Sequence, residues 1–298
     1  MIFKDAFRTI FLKFFNAFLP KTFAYQAITE SLYRQILQQP KYQDPRALLH
    51  FGQKYFSQNE EDGIIAEIFR RIGVKNHSFI EIGVGDGREC NTLTLLYQNW
   101  KGLWIEGVAS EKIKLCAEKF RNQLQLENVF IDKNNINSYI QKHFSGEIDL
   151  LSLDIDSKDA FVLQAINVIN PRVIIVEYNA RFGPQIDWSV DDAVENFGDD
   201  HFGASLKCFE NILQNKGSQG YALVACNVTG VNAFFVRKDL LGDHFVGPFT
   251  SERWYEPFRM PLSQYFIFQQ HKVTLGPSCS SSKIIGGAKG IAAPSASA

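Results

Sequence analysis

The sequence predicts an α/β protein with a seven-stranded, mostly parallel sheet, helices on both faces and one antiparallel strand. Short apolar runs alternate with stretches long enough for crossover helices, which is typical of parallel strands. Only a handful of residues separate the last two runs, too few for a crossover, so those two strands should pair antiparallel. The predicted strands are residues 79–82, 102–105, 128–131, 148–154, 172–177, 221–225 and 232–236.

Residues 1–52 are predicted to form a helical extension ahead of the sheet. Within residues 1–19, phenylalanine recurs at three- and four-residue steps while mainly polar and basic residues take the other face, so an amphipathic helix is expected before Pro20. This helix either packs on the domain or on a second copy of the chain in a homo-oligomer, or it lies on a membrane that supplies a lipid-linked substrate. A second helix is predicted over residues 24–39, before Pro40.

The segment Ser57-Gln58-Asn59-Glu60 has the spacing of a capping box and precedes an apolar pattern of helical period. This spacing predicts the start of a helix.

A glycine-rich turn follows the first predicted strand. Gly83, Gly85 and Gly87 stand at alternate positions directly after the strand. Glycine adopts backbone angles that a Cβ would forbid and lets a ligand approach the backbone closely. Glu106 ends the second strand about 20 residues later, where an acidic side chain can bind both hydroxyls of a ribose. The unit therefore predicts a nucleotide-binding site.

The residues around this turn favour one nucleotide over another. A dinucleotide fingerprint requires a third glycine at position 88, which is Arg88. Glu81, Asp86 and Glu89 surround the turn and would repel a pyrophosphate, which needs bare N–H groups at a helix N-terminus. The same carboxylates suit a ligand that carries an ammonium and a sulfonium. S-adenosylmethionine therefore fits better than NAD.

Acidic or amide side chains close the parallel strands, and these strand ends share the edge of the sheet where ligands bind in open α/β folds. They are Glu81, Glu106, Asp132, Asp154 with Asp156, and Glu177 with Asn179. Asp156 is the first candidate for a general base and Glu177 the second. Alternatively, Asp156, Glu177 and Asn179 hold a divalent cation such as Mg²⁺ through hard oxygen ligands.

A long loop is predicted between residues 179 and 203. Loops of this length in a compact domain are usually functional or disordered. This one mixes aspartates with Phe182 and Trp188, a combination that suits the hydroxyls and apolar faces of a sugar. Asn179, Trp188 and His201 are the candidate substrate-binding residues of this region.

Five segments in order resemble the FkbM-like S-adenosylmethionine-dependent methyltransferases. They are residues 79–107, DLLSLDID at 149–156, VIIVEYN at 173–179, FGASL at 202–206 and GVNAFFVR at 230–237. The resemblance spans about residues 57–273 and implies a Rossmann-like class I methyltransferase fold, here given the bounds 53–275. It also implies S-adenosylmethionine as the cofactor.

The resemblance, together with position in the pattern, implies roles for individual residues. The three glycines would let the methionine part of the cofactor lie close to the backbone. Glu81 would face its ammonium, and Glu106 would bind the ribose. Asp132 would accept a hydrogen bond from the adenine amino group. Gln58, Glu61 and Asp154 complete the cofactor-binding set, the first two because the SQ-x-x-ED segment lies beside the cofactor in the family.

The expected function is O-methylation of a hydroxyl on a saccharide or small-molecule acceptor. From another class, the chain could be a catalytically silent S-adenosylmethionine-binding scaffold with the Phe-rich helix as its working surface. The chain retains Glu81, the three glycines, Glu106 and Asp156. These residues argue against loss of cofactor binding more strongly than against loss of catalysis.

The composition points away from nucleic acid as a partner. The 298 residues have a net charge of −1, so no basic field exists to attract it. No run of about 18 apolar residues occurs, so no membrane-spanning helix is expected. The five scattered cysteines are typical of reduced thiols in a cytoplasmic protein, with membrane association left open by the first helix. Residues 276–298, which lack aromatics, are expected to be a disordered tail.

Overall fold

Seven strands form one sheet in the computed structural model, which describes residues 24–25, 27–193, 202–259 and 262. The strand order is β3-β2-β1-β4-β5-β7-β6. The strands are β1 Ser78–Ile82, β2 Lys101–Glu106, β3 Leu124–Asn128, β4 Gly146–Leu153, β5 Ile169–Glu177, β6 Tyr221–Cys226 and β7 Asn232–Arg237. Strands β1 to β5 pair in parallel, and β7 pairs antiparallel with both β5 and β6. The predicted seven-stranded, mostly parallel sheet with one antiparallel strand is confirmed.

Helices connect the strands in the order that the alternation predicts. The first, α1, covers residues 27–37, with residues 24–25 also helical, inside the predicted range of 24–39. The others are α2 Glu61–Ile72, α3 Leu93–Tyr97, α4 Glu111–Lys119, α5 Ile136–Gln141, α6 Asp159–Ala165, α7 Leu206–Leu213 and α8 Ser251–Trp254. Short 3-10 turns lie at Pro40–Tyr42, Leu48–Phe51 and Lys238–Leu240.

The start of α2 differs from the capping box that the sequence predicts. The helix begins after Glu60, and no side chain caps it there. Instead, the Asp62 carboxylate in its first turn accepts hydrogen bonds from the N–H groups of Tyr55 and Phe56 at 2.7 Å and of Ser57 at 2.8 Å. These bonds fold the preceding loop back onto the helix. A carboxylate is a stronger acceptor for backbone N–H groups than the hydroxyl of a capping serine.

The third strand lies four residues earlier than the predicted range of 128–131. The apolar run at residues 129–131 lies beyond the strand, and Phe130 is 74% exposed. The true strand, β3, has only β2 as a neighbour, so it stands at the sheet edge and alternates apolar with polar residues. An edge strand with one solvated side needs no continuous apolar run, and this is why hydrophobicity alone misplaced it.

Residues before α2 pack into the same core as the sheet. Tyr42, Leu48 and Leu49 are almost fully buried in it. The Tyr42 hydroxyl donates a hydrogen bond to the buried Glu256 carboxylate, which also pairs with Lys41. These residues thus share one packed core with the sheet, and the boundary between residues 52 and 53 stays a prediction.

Three sequence expectations lie outside the described residues: the amphipathic helix of residues 1–19, His201, and the tail of residues 276–298. In the part of the chain that the structure describes, no helix is both long and apolar enough to cross a bilayer.

Candidate functional site

A cavity of about 370 Å³ opens at the carboxyl edge of the sheet. The chain leaves β1 toward β2 and β3 on one side and returns to β4 and β5 on the other, so the strand order reverses between β1 and β4. Ligands of open α/β sheets bind at such a reversal. The cavity is lined by the residues that follow β1, β2, β3 and β4, together with Gln58 and Glu89. The fold therefore forms a ligand-sized cleft where the sequence predicts the nucleotide.

The glycine turn and Glu106 form one wall of the cavity. One Glu106 carboxylate oxygen accepts hydrogen bonds from the N–H groups of Val84 at 3.0 Å and Gly85 at 2.8 Å. The other oxygen accepts from the Val108 N–H at 3.0 Å. Gly83 has a φ of +79° and touches the Asp154 carbonyl so closely that a Cβ at this position would lie 1.4 Å from its oxygen. The turn can pass between β1 and β4 only because that Cβ is absent.

Glu81 and Glu61, two of the predicted cofactor contacts, do not line the cavity. Both are buried behind it and hydrogen-bonded to other parts of the chain. Glu81 accepts from the N–H groups of Asn91 at 2.8 Å and Thr92 at 3.1 Å, and it also accepts from the Thr92 hydroxyl. Burial raises the pKa of Glu81 to about 7. Its carboxylate therefore joins β1 to the loop that begins α3.

Glu61 is likewise fully buried and serves as a junction between distant parts of the chain. Its carboxylate accepts hydrogen bonds from the Asn59 N–H at 2.7 Å and from the side-chain amides of Asn227 at 2.7 Å and Asn232 at 2.9 Å. It thus ties the start of α2 to the turn between β6 and β7. Of the SQ-x-x-ED pair, only Gln58 lines the cavity.

Asp154, Asp156 and Glu177 meet at the ends of β4 and β5. Each offers one carboxylate oxygen, and these three oxygens all lie within 4.8 Å of one another. Burial, followed by repulsion from Asp159 and Asp156, raises the pKa of Asp154 to about 8. Burial, followed by repulsion from Asp154 and Asp156, holds the pKa of Glu177 well above its usual range, and its carboxyl shares a hydrogen bond with Asp154. Such a cluster can accept a proton or bind a hard cation.

The turn after β4 places Asp156 at the mouth of the cluster, as its exposed member. Asp156 has a φ of +53°, a left-handed conformation that is uncommon for a residue other than glycine. Asp159 maintains the turn, because its buried carboxylate accepts hydrogen bonds from the N–H groups of Ile155 at 2.8 Å and Ser157 at 3.1 Å. Asp159 was not among the predicted site residues, although an aspartate in the first turn of a helix is a recognisable signal for this kind of bonding.

Asp132 lies outside the main cavity. It follows β3 by four residues, and its carboxylate accepts hydrogen bonds from the N–H groups of Asn134 at 2.8 Å and Asn135 at 2.9 Å. It lines a neighbouring space of about 260 Å³ that also includes Lys133 and Asp192. Ile131 lines both spaces, so Asp132 stands one residue away from the cavity wall.

The two described members of the predicted acceptor set have different surroundings. Asn179 is buried, its side-chain oxygen accepts from the Arg181 N–H, and its amide donates to the Phe202 carbonyl at 3.2 Å. It therefore shapes the loop after β5. Trp188 stacks on Phe182 with ring centroids 4.2 Å apart and an interplanar angle of 21°. The two aromatic residues of the loop therefore pack on each other, and a role in sugar binding stays a prediction.

Substituting Glu177 with glutamine is expected to stabilise the ligand-free protein at alkaline pH. A carboxyl whose pKa is raised by folding binds more protons in the folded state between its two pKa values, so the free energy of unfolding falls as the pH rises through that window. For Asp154 the window runs from its usual pKa to about 8. Urea unfolding at pH 5.5, 7.0 and 8.5 should show a smaller decline for E177Q than for the wild type. An equal decline in both proteins would contradict the repulsion.

No protein-family model matches the chain, and no curated protein matches it. Solved structures do match at low identity. The N-terminal domain of EvdMO1, solved in the presence of SAH and D-fucose, is 13% identical with a TM-score of 0.42; the match covers 60% of this chain and 82% of that one.

Two further structures are similar at comparable distance. The O-methyltransferase TomG from Streptomyces achromogenes, involved in tomaymycin synthesis and solved with SAM, is 12% identical over 57% of this chain and 76% of that one, with a TM-score of 0.37. Magnesium protoporphyrin IX methyltransferase from Synechocystis PCC 6803, with bound SAM, is 11% identical over 70% of this chain and 97% of that one, with a TM-score of 0.38. These similarities are too distant to assign a family, and the fold rests on the strand order and pairing described above.

Proposed function

We propose that this protein is an S-adenosylmethionine-dependent methyltransferase that methylates a hydroxyl of a saccharide or small-molecule acceptor. The observation that supports it most is the acidic lining of the cavity, whose described residues include no basic side chain. The ionisable side chains among its described lining residues are Glu89, Glu106, Asp154 and Asp156, all of them acidic. A pyrophosphate would be repelled there, whereas a ligand with a sulfonium and an ammonium would be attracted. This favours S-adenosylmethionine over NAD.

The cofactor would lie across the carboxyl edge between β2 and β4. Glu106 would bind the ribose hydroxyls, and the backbone at Gly83 and Gly85 would face the methionine part. Phe130, an exposed aromatic on the cavity wall, would pack against the adenine. Asp132 would approach the adenine amino group from the neighbouring space. The buried carboxylates of Glu81 and Glu61 would support these groups from behind.

In this transfer the sulfonium methyl would pass to the acceptor oxygen as its bond to sulfur breaks, S-adenosylhomocysteine would leave, and the hydroxyl proton would pass to a base. Positioning the two reactants provides much of the rate enhancement in such displacements. Asp156 is proposed as the base because it is the exposed member of the carboxylate cluster and lies on the cavity wall. Glu177 and Asp154 would hold protons behind it.

A divalent cation at the same cluster is the alternative role for Asp154, Asp156 and Glu177. Asp154 stands here in place of the predicted ligand Asn179, whose side chain is hydrogen-bonded to Arg181 and Phe202. The three carboxylates fit a hard cation, since three of their oxygens lie within 4.8 Å of one another. Such an ion would bind and orient two acceptor oxygens. Because carboxyls must lose their protons to bind a metal, its affinity would rise with pH.

Calorimetric titration with S-adenosylmethionine, S-adenosylhomocysteine and NAD tests the cofactor. Binding of both adenosyl ligands at micromolar concentration, without binding of NAD, is the expected result. Repeating the titration with Mg²⁺ and with a chelator separates the two roles of the cluster, because a base needs no metal. Failure of both adenosyl ligands to bind would refute the proposal.

Acceptors are then screened with radiolabelled S-adenosylmethionine against panels of saccharides, small-molecule alcohols and proteins. Transfer to a hydroxyl compound, abolished in D156N, is expected. Transfer to a protein alone would contradict the acceptor class. Cofactor binding without transfer to any acceptor would favour a silent cofactor-binding scaffold.

A further inference from the structure

The methionine part of the proposed cofactor carries a carboxylate, and the described residues of the cavity wall offer it no positively charged side chain. All four ionisable side chains on the described lining are acidic. Arg88 and Lys112, the basic residues near the glycine turn, pair with Asp86 and do not line the cavity. A carboxylate buried among carboxylates would be strongly disfavoured. A cation within reach behind the wall would offset this repulsion.

Lys54 is such a cation. Its side chain is fully buried, and its ammonium donates a hydrogen bond to the Gln58 carbonyl at 2.5 Å. The ammonium also faces a Glu89 carboxylate oxygen at 3.5 Å. Both Gln58 and Glu89 line the cavity, so the ammonium lies directly behind its wall. Burial lowers the pKa of Lys54, while the charges of Glu89 and Glu61 raise it.

We propose that Lys54 binds the carboxylate of the cofactor's methionine part, with the Glu89 carboxylate holding that place in the ligand-free protein. The inference rests on the proposed function and extends it to a specificity-determining residue. It explains why a lysine is buried beside an otherwise acidic cavity, since an isolated buried ammonium is costly unless a partner of opposite charge reaches it.

The Glu89 side chain is suited to leave when the ligand arrives. It is 46% exposed, and its 3.5 Å separation from the ammonium is long for a charge-assisted hydrogen bond. Ion pairs with one exposed partner contribute little to stability, so the side chain can rotate into solvent at small cost. The incoming carboxylate would then take the position beside the ammonium that Glu89 leaves.

A purely structural role for Lys54 would give a different result in binding experiments. Its bond to the Gln58 carbonyl also closes the loop before α2. If that were its only contribution, its removal would weaken all adenosyl ligands alike. The discriminating probe is decarboxylated S-adenosylmethionine, which keeps the adenosine, sulfonium and ammonium and lacks only the carboxylate.

The experiment compares dissociation constants of S-adenosylmethionine and its decarboxylated form for the wild type, K54M and K112M. Methionine fills the space of the aliphatic part of the buried side chain without its ammonium, and Lys112 is an exposed lysine near the turn that lies outside the cavity. The wild type should prefer the carboxylated ligand, and K54M should lose about 10- to 100-fold of that preference. K112M should keep it. Equal weakening of both ligands in K54M would overturn the inference.

A second variant decides the matter if K54M does not fold. Glu89→Gln removes the competing carboxylate at a half-exposed position and should increase the preference for the carboxylated ligand. An unchanged or smaller preference in E89Q would contradict the proposed place-holding. If the wild type binds neither ligand, the proposed function itself fails; if it binds both equally well, only the role of Lys54 fails.

Discussion

Gly83→Ala is expected to destabilise the fold by more than about 4 kcal/mol, a loss large enough to prevent folding of many domains. The added Cβ would lie 1.4 Å from the Asp154 carbonyl oxygen and 2.6 Å from its carbon. Both neighbours are backbone atoms at the junction of β1 and β4, where the Asp154 N–H donates to the Ile82 carbonyl at 2.9 Å. No side-chain rotation can relieve such an overlap, so the two central strands would have to separate. Urea unfolding, or the soluble yield if the variant does not fold, measures the effect.

Gly85→Ala is the matched control two residues away. Gly85 also has a positive φ, +62°, but nothing lies within 4 Å of a Cβ placed there. Only the left-handed backbone penalty of about 1–2 kcal/mol should appear. Similar losses in the two variants would show that backbone conformation, rather than the contact with β4, explains the requirement for glycine at position 83.

Glu106→Ala is expected to weaken binding of S-adenosylmethionine and S-adenosylhomocysteine by at least about 100-fold, since hydrogen bonds to a charged group contribute about 1.5–3 kcal/mol each. The carboxylate organises the wall of the cavity, because it accepts hydrogen bonds from the N–H groups of Val84, Gly85 and Val108. Its removal would take away both the ribose partner and the acceptor for these three donors. Calorimetric titration of both ligands measures the loss.

Glu106→Gln separates the two contributions of this side chain. Glutamine retains one acceptor oxygen and the length of the side chain, so the loss should be smaller than in E106A. Urea unfolding of both variants shows whether the glycine turn remains folded. Full affinity in E106A, with a stable fold, would place the ribose elsewhere and contradict the proposed orientation of the cofactor.

Hydrophobic runs and connection lengths were sufficient to predict the sheet, including the reversal of β7. Parallel central strands are buried on both faces, so they appear in sequence as continuous apolar runs, as in β5. The predicted position of the edge strand β3 was wrong because its sequence, L-Q-L-E-N, alternates apolar and polar residues. The continuous apolar run at residues 129–131 lies beyond the strand. The fold could therefore be predicted where burial dominates, and less well at the edge.

The candidate site was predictable in its location and less so in its individual contacts. Glu81 lies in β1 and Glu61 begins α2, as the strand pattern and the SQ-x-x-ED segment indicate. Their partners, among them Asn91 and Asn227, come from other segments, and a single sequence does not show which hydrogen bonds those segments will provide. Lys54 gave no signal for the same reason, because one lysine in a loop forms no pattern until the fold buries it.

The contact between Tyr42 and Glu256 joins residues 214 positions apart, and it therefore has a consequence for synthesis of the chain on the ribosome. At 5–20 residues per second, roughly 10–40 s pass between translation of the first partner and the second. During that interval Tyr42 lacks both Glu256 and the neighbouring ring of Trp254, whose centroid lies 6.3 Å away in the finished protein. The apolar residues Tyr42, Leu48 and Leu49 therefore remain without some of their final packing partners, and open to aggregation, until the segment around Glu256 has been translated.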